Sequence, residues 1–325
     1  MSIIVTGSIA TDYLMVFPGR FAEQIMPDQL ANISLSFLVE DLAIRRGGAG
    51  ANIAFNLGCL GLAPVLVGAV GADFAEYGQW LSDHGVDVSA VHVSQTKHTA
   101  RFQCTTDSDQ NQIASFYAGA MTESRDIGLK PIVDRLGGTD LVVVGPSDPA
   151  AMLRHSQECR ECGYPFAADP SQQLSSLDGD AITQLVDGAT YLFTNTYERG
   201  LLERKTGWGD EDILARVGVS VMTRGAKGVT VQRPGEPVIS VTPPQELAKA
   251  DPTGVGDAFR AGFLAGMHWG VGDERAAQLG CMLATLVIES VGTQEHQFEP
   301  ATFLERFSQA YGPDSAAEVA AHVNA

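Results

Sequence analysis

The chain has 325 residues, 45% of them hydrophobic, which is enough for one large domain or two ordinary ones with a substantial core. A formal charge of -18 excludes the basic surface that nucleic acid or an anionic membrane face requires, so no nucleic-acid partner is expected. No apolar run reaches the roughly 18 residues of a membrane span, the start MSIIVTGSIATD lacks the pattern of a secretory leader, and five cysteines suit reduced thiols, so a cytoplasmic protein is expected.

In chain order, short apolar runs alternate with helical patterns: IIVTGS near the start, then PVLVGAVG, DLVVVGP, PFAADP, ATYLFTN and VSVMTRG. That rhythm predicts strand and helix units building a mainly parallel sheet covered on both faces. Such sheets bind ligands beyond the carboxyl ends of their strands. Here those ends are polar or glycine-rich: Gly7-Ser8, Asp169 to Gln173, Thr194-Asn195 and Thr223-Arg224-Gly225.

Two stretches break the rhythm. ISLSFLVEDLAI (33–44) and TARFQCTT (99–106) alternate with period two, and the second leads through the turn-rich DSDQN into QIASFY, a hairpin pattern. With no helices between them, these segments predict a small separate sheet, a natural lid near a ligand cleft. The expected division is a large α/β domain over 1–12, 46–97 and 120–325, and a β-sheet lid over 13–45 and 98–119. Within the last of the large-domain stretches lies the helical AMLRHSQECREC, whose Cys159 and Cys162 lack the second pair of a tetrahedral zinc site.

Two glycine-rich turns carry the chemistry. In RRGGAGANIAFNLGCLG, Gly48 and Asn52 enter a small-residue helix, which permits close approach of a ligand. In DPTGVGDAFRAGF, Gly254, Val255 and Gly256 lead into a helix whose first amides and positive dipole end suit a phosphoryl group. Asp257 stands at that junction, either as a helix-capping acid or as a base that takes a proton from an attacking hydroxyl. There is no GxxxxGK[ST], so the Walker arrangement is excluded.

Together these turns resemble the paired signatures of the PfkB, or ribokinase-like, family, which transfers phosphate from ATP to a sugar or nucleoside hydroxyl. The C-terminal signature, roughly D-T-x-G-A-G-D, stands here as Asp251-Pro252-Thr253-Gly254-Val255-Gly256-Asp257, with proline and valine as departures. Asn195 to Glu198 resembles the family's N-x-x-E, and Thr223 to Gly228 its T-x-G-x-x-G. The resemblance implies a three-layer α/β/α fold plus a β-sheet lid. It makes Asp257 the general base and the amides of Gly254, Val255 and Gly256 the anion hole. It places Asn195 and Glu198 near Mg²⁺, mostly through water, with Thr223, Gly225, Gly228 and Gly256 on the ATP side. It also allows a monovalent cation such as K⁺ beside Asp251 and Thr253.

For the acceptor, Asp12 resembles the family's sugar-binding aspartate; a carboxylate can accept two hydrogen bonds from a vicinal diol. Gly48 and Asn52 complete the expected ribose contacts. The sequence departs from the D-x-N-x-R of many sugar kinases, carrying Asp169-Pro170-Ser171-Gln172-Gln173 instead. Glutamine amides match adenine's paired donor and acceptor, and Phe102 and Phe116 on the hairpin arms could flank a flat base, unless they only pack the small sheet.

Within the family, the wider context from VTGSIATDYLMVFPGRF to ESVGTQEHQFEP is most similar to adenosine kinases of the mycobacterial and actinobacterial type. That implies ATP and adenosine giving ADP and AMP, with Ser8, Ser36, Gln172 and Gln173 as adenine contacts, and a homodimer paired through the lid sheets. The alternatives are a ribose or fructose kinase, or a nucleoside-binding sensor on a kinase fold.

Overall fold

The computed structural model describes residues 2–25 and 34–323. Thirteen strands follow in chain order: β1 (Ile3–Thr6), β2 (Ala10–Val16), β3 (Asp41–Gly47), β4 (Val65–Val70), β5 (Val91–Val93), β6 (Ala100–Thr106), β7 (Gln112–Tyr117), β8 (Leu141–Val144), β9 (Phe166–Ala168), β10 (Tyr191–Asn195), β11 (Val219–Thr223), β12 (Val229–Gln232) and β13 (Ile239–Val241). They form a nine-stranded sheet, ordered β13-β12-β11-β10-β9-β8-β1-β4-β5, and a four-stranded sheet, ordered β3-β2-β6-β7.

The large sheet is parallel from β5 to β11, and β12 and β13 extend it antiparallel. Its central strands β1, β4, β8 and β9 are buried on both faces, as continuous apolar runs require. Ile3 and Val5 of β1 join one core with helices Ala49–Cys59, Val255–Trp269 and Asp273–Ile288, while Ile4 between them joins a second core with helices Pro149–Cys162 and Gly179–Val186. Two helical layers around one sheet result. The chain leaves β1 for β4 on one side and later returns to β8 on the other, so the strand order reverses at β1. Gly7 and Ser8 follow β1 at that switch point, where open α/β sheets hold their ligands.

All six expected strands of the large sheet are present. Unforeseen were β5, β12 and β13, three- and four-residue pieces too short to show a period. In the small sheet the hairpin β6–β7 is formed as its alternation predicts. The expected strand over ISLSFLVEDLAI is not: Ile33 lies outside the described residues, 34–39 has no regular structure, and pairing starts only at Asp41. Its exposed Ser34, Leu35 and Ser36 pair with no strand among the described residues. The strands also run past the divisions at 12/13 and 45/46, because β2 stays in register from Ala10, opposite Gly47 and Ala100, to Val16. Among the described residues no helix is long and apolar enough to cross a membrane. Cys159 is buried, Cys162 exposed, and no group of three or more His, Cys, Asp or Glu side chains gathers as a metal centre among the described residues.

Candidate active site

Helix Val255–Trp269 starts at Gly254, whose φ of 76° is left-handed and therefore suits glycine. The first bond from this turn into the helix runs from Ala258 N–H to Gly254 O at 2.9 Å. The preceding amides, those of Val255, Gly256 and Asp257, belong to the unpaired first turn that makes a helix start attractive to anions. Asp257, the third residue of the helix, keeps part of its surface open to the cleft. Asn52, from the first turns of helix Ala49–Cys59, donates through Nδ2 to Asp257 Oδ2 at 2.9 Å. The two glycine-rich motifs, about two hundred residues apart in sequence, thus meet through one hydrogen bond.

The second helix is held close by its own start. Gly48 has φ 94°, and a Cβ there would lie 2.6 Å from Ser8 O and 2.7 Å from Ala10 N. Ser8 Oγ accepts the Ala49 N–H at 3.0 Å, so this serine caps the helix. Asp12 lies on β2 against Gly47, where a Cβ would come within 2.8 Å of its carboxylate. Strand register sets Arg45, Asp12, Phe102 and Phe116 in one row across the small sheet, on one face of it. Phe102 is half-buried and Phe116 exposed.

Charge in this cleft is dense and mostly negative. Burial, and then the field of Asp251, pushes the Asp12 carboxyl up to about 6. Burial likewise pushes Asp257 up to about 6, helped by Asp169 and Glu198 and opposed by Arg260 and the Asn52 hydrogen bond. Asp251 goes the other way: burial raises it, but hydrogen bonds from Thr253 and Gly292 outweigh that and hold it below the ordinary range. Its Oδ1 accepts the Thr253 amide at 2.9 Å and its Oδ2 the Gly292 amide at 3.1 Å, which ties the DPTG turn to the segment after helix Asp273–Ile288.

Arg260, one turn beyond Asp257, supplies the compensating charge. It pairs with Asp169, its Nη2 donating to Oδ1 at 2.6 Å and its Nε standing 2.6 Å from Oδ2, and it donates to Gly256 O at 3.0 Å. Glu198 Oε2 lies 4.0 Å from the same guanidinium. Asp169 is 1% exposed and Arg260 6%, so neither charge has water to fall back on. An arginine inside the apolar run AFRAGFLAG is the signal that announces such a pair, because a buried cation requires a partner.

The DPSQQ turn begins at Asp169. Gln173 donates to Ser147 O at 2.7 Å and accepts from Ser176 Oγ at 2.9 Å, so its amide is already engaged with the protein, whereas Gln172 is exposed and accepts from Ser171 Oγ. Asn195 and Thr223 are register partners at the ends of β10 and β11. Asn195 and Glu198 form a reciprocal capping box, with Asn195 N–H to Glu198 Oε2 at 2.7 Å and Glu198 N–H to Asn195 Oδ1 at 2.8 Å. Glu198 is buried rather than solvated, and burial raises its carboxyl against the pull of Arg260. Gly225 is exposed in the β11–β12 loop, while Gly228 is buried against Val241 O.

The fold therefore gathers Ser8, Asp12, Gly48, Asn52, Asp251 and Gly254 to Asp257 around one cleft and links Asp169 and Glu198 to it through Arg260. Ser36 makes no hydrogen bond to the described residues and sits exposed beyond β3. Sequence reasoning missed Thr293 and Gln294, both buried, whose Oγ1 and Nε2 each donate to Asn52 Oδ1 at 2.9 Å. The polar run GTQEH, three residues after an apolar helix, is the mark they leave in the sequence.

A model of the pfkB family carbohydrate kinases matches residues 11–300. The chain belongs to this family. It is 34% identical to a Burkholderia thailandensis nucleoside kinase whose structure is solved in complex with inosine, with a TM-score of 0.84 over 96% of this chain and 98% of that one. It is 28% identical to a nucleoside kinase of Methanothermobacter thermautotrophicus over 93% of this chain and 97% of the relative. A Cryptococcus neoformans ribokinase in complex with ADP, 20% identical, shares the fold with a TM-score of 0.77 over 94% of this chain and 99% of that one. The expected family and the ribokinase-like fold with its small extra sheet are borne out, while the two more similar of these relatives are nucleoside kinases rather than adenosine kinases of the mycobacterial type.

Proposed function

We propose that this family member is a nucleoside kinase that phosphorylates the 5'-hydroxyl of adenosine with ATP, giving AMP and ADP. The observation that carries the reading is the meeting of Asp257 with Asn52 beside the unpaired amides of Gly254 to Asp257, in the cleft that Asp12 overlooks. In the proposed step Asp257 takes the 5'-hydroxyl proton while that oxygen attacks the γ-phosphorus, and the bond from γ-phosphorus to the β,γ-bridging oxygen breaks to release ADP. Charge that develops on the transferring group falls on the amides of Gly254, Val255 and Gly256. A base lifted toward neutrality by burial matches the proton it must take.

Asp12 would accept from the ribose diol, with Gly48 closing under the sugar and the second Nδ2 hydrogen of Asn52 left for a hydroxyl. Ser8, Gln172 and Gln173 would face the base, and Phe102 and Phe116, on Asp12's side of the small sheet, would flank it; Ser36 would have to move inward to join them. Thr223 and Gly225 would border ATP, with Gly228 holding their loop in shape. Glu198 would suit a magnesium ion held through water: one of its oxygens caps Asn195, and the Ser171 side chain also favours its ionised form. When bound, such an ion would neutralise phosphate charge. Asp251 and Thr253 would hold K⁺ only around the bonds that already fix their turn. The opposite face of the small sheet exposes Leu42, Ile44, Ile113 and Tyr117, each about half accessible, and suits pairing with a second copy.

A broader purine reading is favoured by one observation, the inosine held by the Burkholderia relative. The test is initial ADP formation from MgATP with adenosine, inosine, ribose and fructose offered singly against a no-acceptor control. Turnover with adenosine above the others is expected. Equal turnover with inosine would widen the substrate to purine nucleosides, turnover with free sugars alone would overturn the nucleoside assignment, and adenosine binding without turnover would point to a sensor.

A further inference from the structure

Asn52 can serve Asp257 only if its side-chain amide faces the right way, since the nitrogen donates and the oxygen does not. Rotated by half a turn, the same side chain would set Oδ1 against the carboxylate and remove a donor from the base. What fixes the rotation lies on the far side of Asn52. Its Oδ1 accepts from Gln294 Nε2 and from Thr293 Oγ1, both at 2.9 Å. The threonine hydroxyl has one proton and a competing acceptor, Arg46 O, also at 2.9 Å. Gln294 has two amide protons and two acceptors in place, Asn52 Oδ1 and Tyr77 Oη, the latter at 2.6 Å.

The direction of each bond can be traced further back. Tyr77 donates its one proton to Gly47 O at 2.9 Å, which leaves its oxygen free to accept from Gln294. Gln294 Oε1 accepts from the indole Nε1–H of Trp80 at 3.2 Å. An indole N–H can only donate, so it allows Gln294 one orientation, that amide allows Asn52 one orientation, and Asn52 then points its nitrogen at Asp257. Gln294 is 1% exposed and Asn52 3%, so water does not compete for these positions.

We propose that Gln294, set by Trp80, is a positioning residue for phosphoryl transfer: it fixes the amide of Asn52 so that Nδ2 is held on the Asp257 carboxylate. This rests on Asp257 being the base of the proposed reaction. The other charged groups that act on Asp257 are Arg260, which favours its ionised form, and Asp169 and Glu198, which oppose it, and changing Gln294 alters none of them.

The test uses the full chain carrying Gln294→Met, which keeps the volume and removes both donors, and Trp80→Phe, which removes the indole donor but keeps a smaller aromatic ring on Phe55 and under Arg46. The first readout needs no turnover: titration of the Asp257 carboxyl by carbon NMR, its signal identified by its loss in Asp257→Asn. Without its held donor the carboxylate is less favoured, so its titration should move up by about one unit in Gln294→Met and by less, in the same direction, in Trp80→Phe. The second readout is the acid limb of kcat, expected to move with it, so that kcat at a pH below the limb falls about tenfold while KM for ATP stays unchanged. An unmoved Asp257 titration in either variant, if folded, overturns the proposal, because a purely structural glutamine would cost stability and leave the base alone. If Gln294→Met does not fold, Trp80→Phe decides alone. If the unaltered protein phosphorylates no nucleoside, the function assigned above fails, while the titration still decides whether Gln294 positions Asp257.

Discussion

Replacing Arg260 by methionine removes one partner of a buried ion pair and leaves the other in place. Asp169 then stands 1% exposed with no cation on its carboxylate, and Gly256 O loses its donor at 3.0 Å. Breaking such a pair costs about 3–5 kcal/mol, because the remaining charge is both dry and unpaired. With an unfolding entropy of about 2.1 cal/mol/K per residue, a chain of this size has about 0.7 kcal/mol/K, so Tm should fall by roughly 4–7 °C. The sign of the pH dependence follows from Asp169, whose folded carboxyl is raised above its ordinary 3.8 by burial even with Arg260 beside it. A raised carboxyl penalises the fold only once ionised. The loss should therefore be small near pH 4 and grow as pH rises from 3.8 through the folded value, which the substitution raises further. Thermal unfolding of Arg260→Met at pH 5 and pH 8 measures both effects, and Arg260→Met with Asp169→Asn should regain at least half of the loss at pH 8. A drop in Tm under about 1 °C at pH 8, or a larger loss at pH 5 than at pH 8, would refute the reasoning.

Asp257→Asn should reduce turnover by at least about a thousandfold with adenosine still bound in calorimetry; near-normal turnover would remove the base from the mechanism. The rate with nucleoside should rise with pH through an acid limb near 6, the value to which burial lifts both Asp257 and Asp12, and a limb near 4 would mean that neither carboxyl is shifted where the reaction occurs. Phe102→Ala should weaken adenosine binding about tenfold or more with KM for ATP unchanged, as loss of a base-stacking ring requires; equal loss for both substrates would return Phe102 to packing. Ile44→Glu should turn a dimer into a monomer in light scattering, and a monomeric unaltered chain would remove the proposed pairing.

Much of this arrangement was legible in the chain itself. Each βα unit writes its strand as a short apolar run, so β1, β4 and β8 to β11 could be placed, and their polar ends named the cleft. The segment before β3 misled because period-two alternation reports only which side each residue would face, and 34–39 pairs with no strand among the described residues to make the facing real. Asp257 and Asn52 stood out through their glycine-rich surroundings. What joins them did not, because hydrogen bonds between Gln294, Tyr77, Trp80 and Asn52 cross three segments far apart in sequence. The same holds for Asp169 and Arg260, 91 positions apart.

The way the chain enters and leaves the small sheet has a mechanical result. Ser8 and Gly48 touch where β1 gives way to β2 and where β3 gives way to the next helix, and the other two crossings, before β6 and after β7, lie along the same edge, where Thr99 and Arg101 bond Asp73 and Ala120 N–H donates to His98 O. Register puts Ala10, Gly47 and Ala100 in that edge row and Asp12, Phe102 and Phe116 together in the next row of the same face. A rotation about that edge would carry Asp12 and the two rings as one unit through the same small arc, and would move the far ends, Val16, Thr106 and Gln112, most. The face that Asp12 shares with the rings would thus stay intact on opening, and the rim opposite the crossings would clear first.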